Sequence, residues 1–146
     1  FPTRRSSDLV QTGANFSFIV NDEQLPFHCL CSLIGMAIDV VSRTPLLGNV
    51  TGGLSGPAIK PIGVRMVWQV AQTVRIPIVG MGGIVNAADA LEYLIAGATA
   101  VQVGTAHFMD PRSSLKIIDG IADYLNRHRL PDLSKLIGSL RIERNS

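Results

Sequence analysis

The chain has 146 residues, which is enough for one domain or for part of a larger one. Apolar residues make up 47% of the sequence and the formal net charge is +2, so the composition excludes a disordered chain and gives no sign of a nucleic-acid surface. No apolar run approaches the roughly 20 residues of a membrane span, and two cysteines are too few for a disulfide scaffold, so we expect a cytoplasmic protein that binds neither membrane nor nucleic acid.

The first 32 residues carry no sustained hydrophobic period. The opening letters FPTRRSSDL resemble a translated sequencing adapter more than a secretory signal, because no contiguous apolar core follows Arg4 and Arg5. Phe16, Phe18 and Val20 favour one short strand at most. We therefore interpret residues 1–32 as a weakly structured segment of doubtful origin, for which an artefact is one explanation, and residues 33–146 as the organised domain.

The first organised elements are short. Residues 35–41 predict a strand that a turn at 42–45 folds back onto residues 46–47 as a small hairpin. A glycine-rich loop at 49–57 then leads into a helix predicted over 59–74, with Pro61 in its first turn. Met66 and Trp68 are interpreted as packing residues of this helix.

Residues 76–105 predict one βαβ unit around which the chain is organised. The strands are expected at 76–79 and 99–103, each followed by a glycine turn. The helix between them is expected at Ala87–Ala96, with Asn86 as N-cap, Asp89 in the first turn and Gly97 as C-cap.

Two glycine turns after neighbouring parallel strands indicate an anion site. Gly82, Gly83 and Gly104 allow backbone N–H groups to approach a phosphate closely, and Thr105 adds a hydroxyl donor. In (β/α)8 barrels the phosphate site commonly follows strands 7 and 8. The dinucleotide fingerprint G-x-G-x-x-G is not met, since Val85 stands where the third glycine belongs, which favours a barrel over a Rossmann fold. The alternative is that the glycines only make tight connections.

After Thr105 the sequence predicts two further helices. Asp110 and Pro111 are expected to begin a helix that runs to about Arg127, and a short closing helix is expected at 133–140. His107 is expected to make a polar contact or to face solvent rather than to act in catalysis. We find no convincing Ser/His/Asp group, paired carboxylates or metal-ligand set, so no catalytic residue and no metal ligand is predicted.

Three ordered motifs carry a family likeness. They are NVTGGLSGPAIKP at 49–61, GMGGI at 80–84 and VQVGTA at 101–106. From about Leu33 to Arg141 the chain closely resembles dihydroorotate dehydrogenase, and most of all the bacterial class 1B catalytic subunit.

The resemblance implies a fold, a cofactor and partners. Members of that family are FMN-binding (β/α)8 TIM barrels that oxidise dihydroorotate to orotate in pyrimidine biosynthesis. In the 1B form, a second subunit with FAD and a [2Fe–2S] cluster passes the electrons to NAD. The chain would then be the C-terminal portion of an α/β barrel, from about the end of strand 6 to helix 8, within a full-length protein that forms an oligomer.

The resemblance also implies site residues. Gly56 would lie beside the flavin, while Gly82, Gly83, Gly104 and Thr105 would hold the FMN phosphate. Leu30, Cys31 and Ser32 stand where the family has Ile-Asn-Thr, with the first residue by the flavin and the other two on orotate. Cys31 departs from this pattern because a thiol cannot replace the paired donor and acceptor of an amide.

The family's catalytic cysteine base lies on a loop well upstream of the matched region. Neither Cys29 nor Cys31 is in a position to be that base, so we expect the chain to be inactive by itself. Two alternatives remain: an FMN barrel of the dihydropyrimidine dehydrogenase type, which shares the glycine motifs, and a non-catalytic half-barrel that binds phosphate. The genomic sequence upstream of Leu33 would discriminate between them.

Overall fold

A computed structural model describes residues 10–12, 16–18, 29–30 and 33–142, with only the backbone described before residue 33. The chain divides into two compact units, Phe1–Ser55 and Gly56–Ser146. This division lies later in the chain than the predicted boundary between residues 32 and 33, which stays a prediction.

The described residues of unit 1 form short antiparallel strands. They are β1 Val10–Thr12, β2 Phe16–Phe18, β3 Cys29–Leu30, β4 Ile34–Gly35, β5 Ile38–Asp39, β6 Thr44–Pro45 and β7 Gly52–Gly53. Strand β2 pairs with both β1 and β3, while β4 pairs with β7 and β5 pairs with β6.

The predicted hairpin is present with different strands. The strand expected at 35–41 is divided between β4 and β5, and the returning strand is Thr44–Pro45, where a turn was predicted. The turn closes earlier because Arg43 N–H donates to Asp39 O at 2.8 Å and the Asp39 carboxylate accepts from Val41 N–H at 2.9 Å. The glycine-rich loop contributes β7, which the sequence pattern did not indicate. Val20, predicted in a strand with Phe16 and Phe18, lies outside the described residues.

Unit 2 is an α/β arrangement that contains the predicted βαβ unit. Its elements are α1 Lys60–Ala71, β8 Val79–Met81, α2 Ala87–Ala96, β9 Ala100–Gln102, α3 Ala106–Met109 and α4 Ser113–Arg127, with 3-10 turns at Pro57–Ile59 and Leu133–Lys135. Strand β8 pairs in parallel with β9, with Val79 opposite Ala100 and Met81 opposite Gln102. Helix α2 provides the crossover that parallel strands require.

Both predicted ends of α2 are confirmed. The Asn86 side chain accepts from Asp89 N–H at 3.0 Å, and the Asp89 carboxylate accepts from Asn86 N–H at 3.2 Å, which is a reciprocal capping box. Gly97 ends the helix with φ +123°, a value that favours glycine.

The strand boundaries differ from the prediction. β8 covers 79–81 rather than 76–79, and β9 covers 100–102 rather than 99–103. Before β8, Thr99 replaces the regular backbone pairing of two strands. Its side-chain hydroxyl accepts from Ile78 N–H at 2.7 Å, and its backbone N–H donates to Ile78 O at 2.8 Å. Gly80 and Met81, expected in a turn, therefore belong to the strand.

The predicted helix limits are also corrected. α1 ends at Ala71, and α4 begins at Ser113 because Asp110 forms a separate turn, in which its carboxylate accepts from Arg112 N–H at 2.9 Å. The four-residue helix α3 was not predicted, and only Leu133–Lys135 of the closing helix forms, as a 3-10 turn.

The core of unit 2 lies around α2, which packs against both α1 and α4. Tyr93 of α2 is wholly buried at its centre. Met66 is buried and Trp68 packs against the group of buried residues that contains Tyr93, so their interpretation as packing residues is confirmed. The buried residues of this cluster are Val67, Ile84, Ala90, Tyr93, Ala96, Ala98 and Ile117, and a second cluster contains Leu91, Leu94 and Leu136.

Within the described part of the chain, no helix combines the length and the hydrophobicity that a membrane span needs. Among the same residues, no three His, Cys, Asp or Glu side chains come together as metal ligands would.

Candidate anion-binding site

The two glycine turns follow the carboxyl ends of β8 and β9. Gly82 comes directly after Met81, and Gly104 comes two residues after Gln102, the partner of Met81 in the parallel pair. Because neighbouring parallel strands end at the same sheet edge, both turns leave the sheet on one side. This is the edge at which ligands bind in barrels and open α/β sheets.

The first turn is packed against the segment that precedes α1. Gly83 has φ +70°, and a Cβ there would lie 2.8 Å from Gly56 O and 2.9 Å from Lys60 N. Gly56 is itself buried, with φ +87°, and its carbonyl accepts from Ile59 N–H at 3.2 Å. The glycine at position 83 is therefore required by the packing of the protein backbone, whether or not a ligand is bound.

The second turn is open. A Cβ on Gly104 would meet no atom within 4 Å, and both Gly104 and Thr105 are exposed. The Thr105 side chain makes no capping hydrogen bond to α3. This turn therefore leaves space beside its backbone that a ligand group can enter.

Tyr93 lies beneath the first turn. Its hydroxyl oxygen is 2.7 Å from Gly82 O, 3.0 Å from Met81 O and 3.5 Å from Lys60 O. The ring lies against Gly80, where a Cβ would come within 2.6 Å of Tyr93 Cδ1. On the other side is Gly63 of α1, where a Cβ would collide with the hydroxyl. Glycines at 63 and 80 thus make room for one large side chain under the turn.

Lys60, which lies beside the first turn, is already paired. Lys60 Nζ lies 2.8 Å from the Asp89 carboxylate and 2.7 Å from that of Glu92, and these two partners raise the pKa of Lys60. Burial raises the pKa of Asp89, but hydrogen bonds from Lys60 and from Val85 N–H outweigh it and hold the pKa below its ordinary value. An anion bound here would therefore depend mainly on backbone N–H and hydroxyl donors.

The sequence also singled out Leu30, Cys31, Ser32 and His107. Leu30 is in β3, where only the backbone is described, and Cys31 and Ser32 lie outside the described residues. His107 Nε2 is 2.8 Å from Ser114 Oγ, which confirms the expected polar contact.

Three residues around the turn were not predicted from the sequence, namely Gly63, Tyr93 and Lys60. Gly63 did give a signal, because a glycine inside a helical pattern marks a close approach. Tyr93 lies on the apolar stripe of α2, where a hydroxyl needs a buried acceptor, but nothing in the pattern says which carbonyl accepts. Lys60 and Asp89 are 29 positions apart, so their pairing depends on the tertiary fold.

A parallel βαβ unit with a glycine turn after each strand defines an α/β protein with a candidate phosphate site. The family model described as "Dihydroorotate dehydrogenase" matches residues 9–125. The chain belongs to the dihydroorotate dehydrogenase family, whose fold is the TIM barrel. This match begins nearer the N-terminus than the motif likeness, which began at Leu33.

Curated relatives agree with the family match. The chain is 60% identical over 114 residues to the "Dihydroorotate dehydrogenase B (NAD(+)), catalytic subunit" of Porphyromonas gingivalis, covering 78% of this chain and 37% of that protein. It is 50% identical over 139 residues to the subunit of the same name from Geotalea daltonii, covering 95% and 42%. The chain thus spans about two fifths of the length of these relatives.

Solved structures give the same result. A crystal structure of DHODH from Eimeria tenella in complex with ferulenol is similar with a TM-score of 0.59 and 27% sequence identity. The similarity covers 72% of this chain and 29% of that one.

Proposed function

We propose that the chain is the C-terminal portion of a dihydroorotate dehydrogenase barrel, from about the end of strand 6 to helix 8, and that it holds the phosphate of FMN. In this proposal β8 and β9 are barrel strands 7 and 8. The observation that carries it is the open backbone at Gly104, on the same sheet edge as the Gly82–Gly83 turn. The family and the names of the relatives support the same proposal.

Each site residue has a role in this proposal. Backbone N–H groups of the Gly82–Gly83 and Gly104–Thr105 turns donate to the phosphate, together with the Thr105 hydroxyl. Gly56 and Leu30 lie beside the flavin, and Cys31 and Ser32 lie at the substrate. An open, exposed turn with an uncommitted hydroxyl fits a phosphate group, whose oxygens accept several hydrogen bonds at once.

The complete protein is proposed to oxidise dihydroorotate to orotate in pyrimidine biosynthesis. Bound FMN supplies the acceptor for the two electrons. No residue of this chain is assigned as the base that takes the substrate proton, so anchoring the phosphate contributes by positioning the flavin for groups elsewhere in the barrel. The relatives' name "catalytic subunit" supports a partner subunit, which we propose carries FAD and a [2Fe–2S] cluster, in an oligomeric enzyme.

The phosphate assignment is tested in a complete barrel. We define the chimera as the P. gingivalis relative in which this chain replaces the matching segment. Gly104→Val should weaken FMN binding at least tenfold, because the side chain fills the proposed phosphate space. Gly48→Val is the matched control, since Gly48 also has no neighbour within 4 Å of a Cβ and no positive φ. Equal FMN dissociation constants for the two variants, measured by flavin fluorescence, would contradict the assignment.

The reaction is tested by anaerobic bleaching of the flavin absorbance. Dihydroorotate should bleach FMN in the chimera and should not bleach FMN mixed with the 146-residue chain. If the chimera binds FMN but no pyrimidine substrate reduces that FMN, the proposed activity is contradicted while the phosphate site still stands.

A further inference from the structure

Three backbone carbonyls from two elements converge on the buried Tyr93 hydroxyl. Met81 O and Gly82 O come from the end of β8 and its turn, and Lys60 O comes from α1. A phenol has one proton, so it donates most strongly to the nearest carbonyl, that of Gly82 at 2.7 Å.

This hydrogen bond sets the direction of the Gly82–Gly83 peptide. The described chain contains no cis peptide bonds, and in a trans peptide the C=O and the following N–H point in opposite directions. With Gly82 O held on Tyr93, the N–H of Gly83 must point away from the core helix α2.

A peptide between two glycines has unusual freedom to turn over. Gly82 and Gly83 have φ values of +108° and +70° and no Cβ to limit the alternatives. If this peptide turned over, a carbonyl oxygen would face the side to which the N–H now points. That would exchange a donor for an acceptor, which repels a phosphate.

We propose that Tyr93 is a positioning residue that holds the Gly82–Gly83 peptide with its N–H directed toward a bound phosphate. This inference rests on the proposed FMN-phosphate site. Tyr93 does not touch the ligand; it acts through the Gly82 carbonyl.

The test separates the phosphate from the rest of the flavin. In the chimera, Tyr93→Phe should weaken FMN binding about tenfold, the effect expected when one hydrogen bond is lost. Riboflavin has the same ring system without the phosphate, and its dissociation constant should change less than about twofold. Tyr124→Phe is the matched control, because Tyr124 lies in α4, where its ring packs on His128 and against the second core cluster, and it should change neither constant.

A second variant separates a loss of FMN binding from a loss of protein stability. Removing the hydroxyl leaves space beside Gly63, where a Cβ would otherwise collide with it. The double variant Gly63→Ala/Tyr93→Phe places a methyl group in that space without restoring the hydrogen bond. It should therefore melt at a higher temperature than Gly63→Ala alone and still bind FMN about tenfold more weakly than the parent chimera.

The outcomes are distinguishable. A parent chimera with no preference for FMN over riboflavin would overturn the phosphate site and this inference with it. A parent that prefers FMN, with the same preference in both Tyr93→Phe variants, would overturn the inference alone. Equal losses of FMN and riboflavin binding would show that Tyr93 only supports the fold.

Discussion

The two glycine turns of this protein look alike in sequence and differ in structure. At the first turn, the place of a Gly83 side chain is taken by backbone atoms of Gly56 and Lys60. At the second, the place of a Gly104 side chain is empty. One glycine is therefore required for folding, while the other leaves room for something from outside.

This difference decides which glycine substitution can test phosphate binding. A substitution at Gly83 disturbs the packing of the protein itself. A loss of flavin binding in that variant could therefore come from the altered packing or from the lost phosphate contact. A substitution at Gly104 changes only open space. Phosphate binding should therefore be probed at Gly104, and the packing of the turn at Gly83.

The largest effect is expected for Gly83→Val. The side chain would press on the backbone of Gly56 and Lys60, and φ +70° is unfavourable for a β-branched residue. We expect the 146-residue chain to lose about 3 kcal/mol or more of unfolding free energy, measured by urea denaturation. Ala58→Val, at an exposed site in the 3-10 turn before α1, is the control. A loss below about 1 kcal/mol at Gly83 would show that the two turns are equally tolerant.

A smaller effect is expected when the charge beneath the first turn is removed. Asp89 accepts from Lys60, Val85 N–H and Asn86 N–H, and its side chain is 9% exposed. Asp89→Asn should lower the free energy of unfolding by about 2 kcal/mol at pH 7, as measured by urea denaturation, because this is the scale of a buried hydrogen bond to a charged group.

The same variant should alter the pH dependence of stability. The pKa of Asp89 is lower in the folded protein than its ordinary value of 3.8. The stabilisation that ionised Asp89 adds to the free energy of unfolding is therefore complete above pH 3.8, and it is lost as the pH falls through 3.8 toward the folded pKa. The stability difference between the parent and Asp89→Asn should shrink below about pH 4. A constant Asp89→Asn difference from pH 7 to pH 2.5 would contradict this.

A smaller effect again is expected from Tyr93→Phe on the stability of the 146-residue chain. The Gly82, Met81 and Lys60 carbonyls lose a shared donor, while the ring keeps its packing against Gly80. We expect a loss of about 1.5 kcal/mol. Tyr124→Phe should lose much less, and equal losses would remove the argument that the hydroxyl holds the first turn.

Local signals in the sequence were sufficient for part of this architecture. The α2 capping box needs only Asn86 and Asp89 three positions apart, and the helix end needs only Gly97. The βαβ order likewise followed from two apolar runs with a helix between them. These features depend on neighbours along the chain, which is why they were found.

The other features depend on contacts between distant parts of the chain. Strand β8 begins three residues later than expected because Thr99 satisfies the backbone of Ile78. The different roles of Gly83 and Gly104 could not be separated, since only the fold brings Gly56 and Lys60 beside the first turn. For Leu30, Cys31 and Ser32 the site assignment stays a prediction.

The smallest effect on stability is expected for Gly104→Val, and this small effect is what makes the comparison useful. A Cβ there meets no atom within 4 Å and φ is not positive, so neither collision nor backbone strain opposes the side chain. Valine also reduces the conformational freedom of the unfolded chain relative to glycine, which favours the folded state slightly. We expect the unfolding free energy to change by no more than about 0.5 kcal/mol in either direction, and urea denaturation of Gly48→Val should give the same result. If Gly104→Val instead destabilised the chain as much as Gly83→Val, the second turn would be packed like the first. In that case a loss of FMN in the Gly104→Val chimera could no longer be attributed to the phosphate.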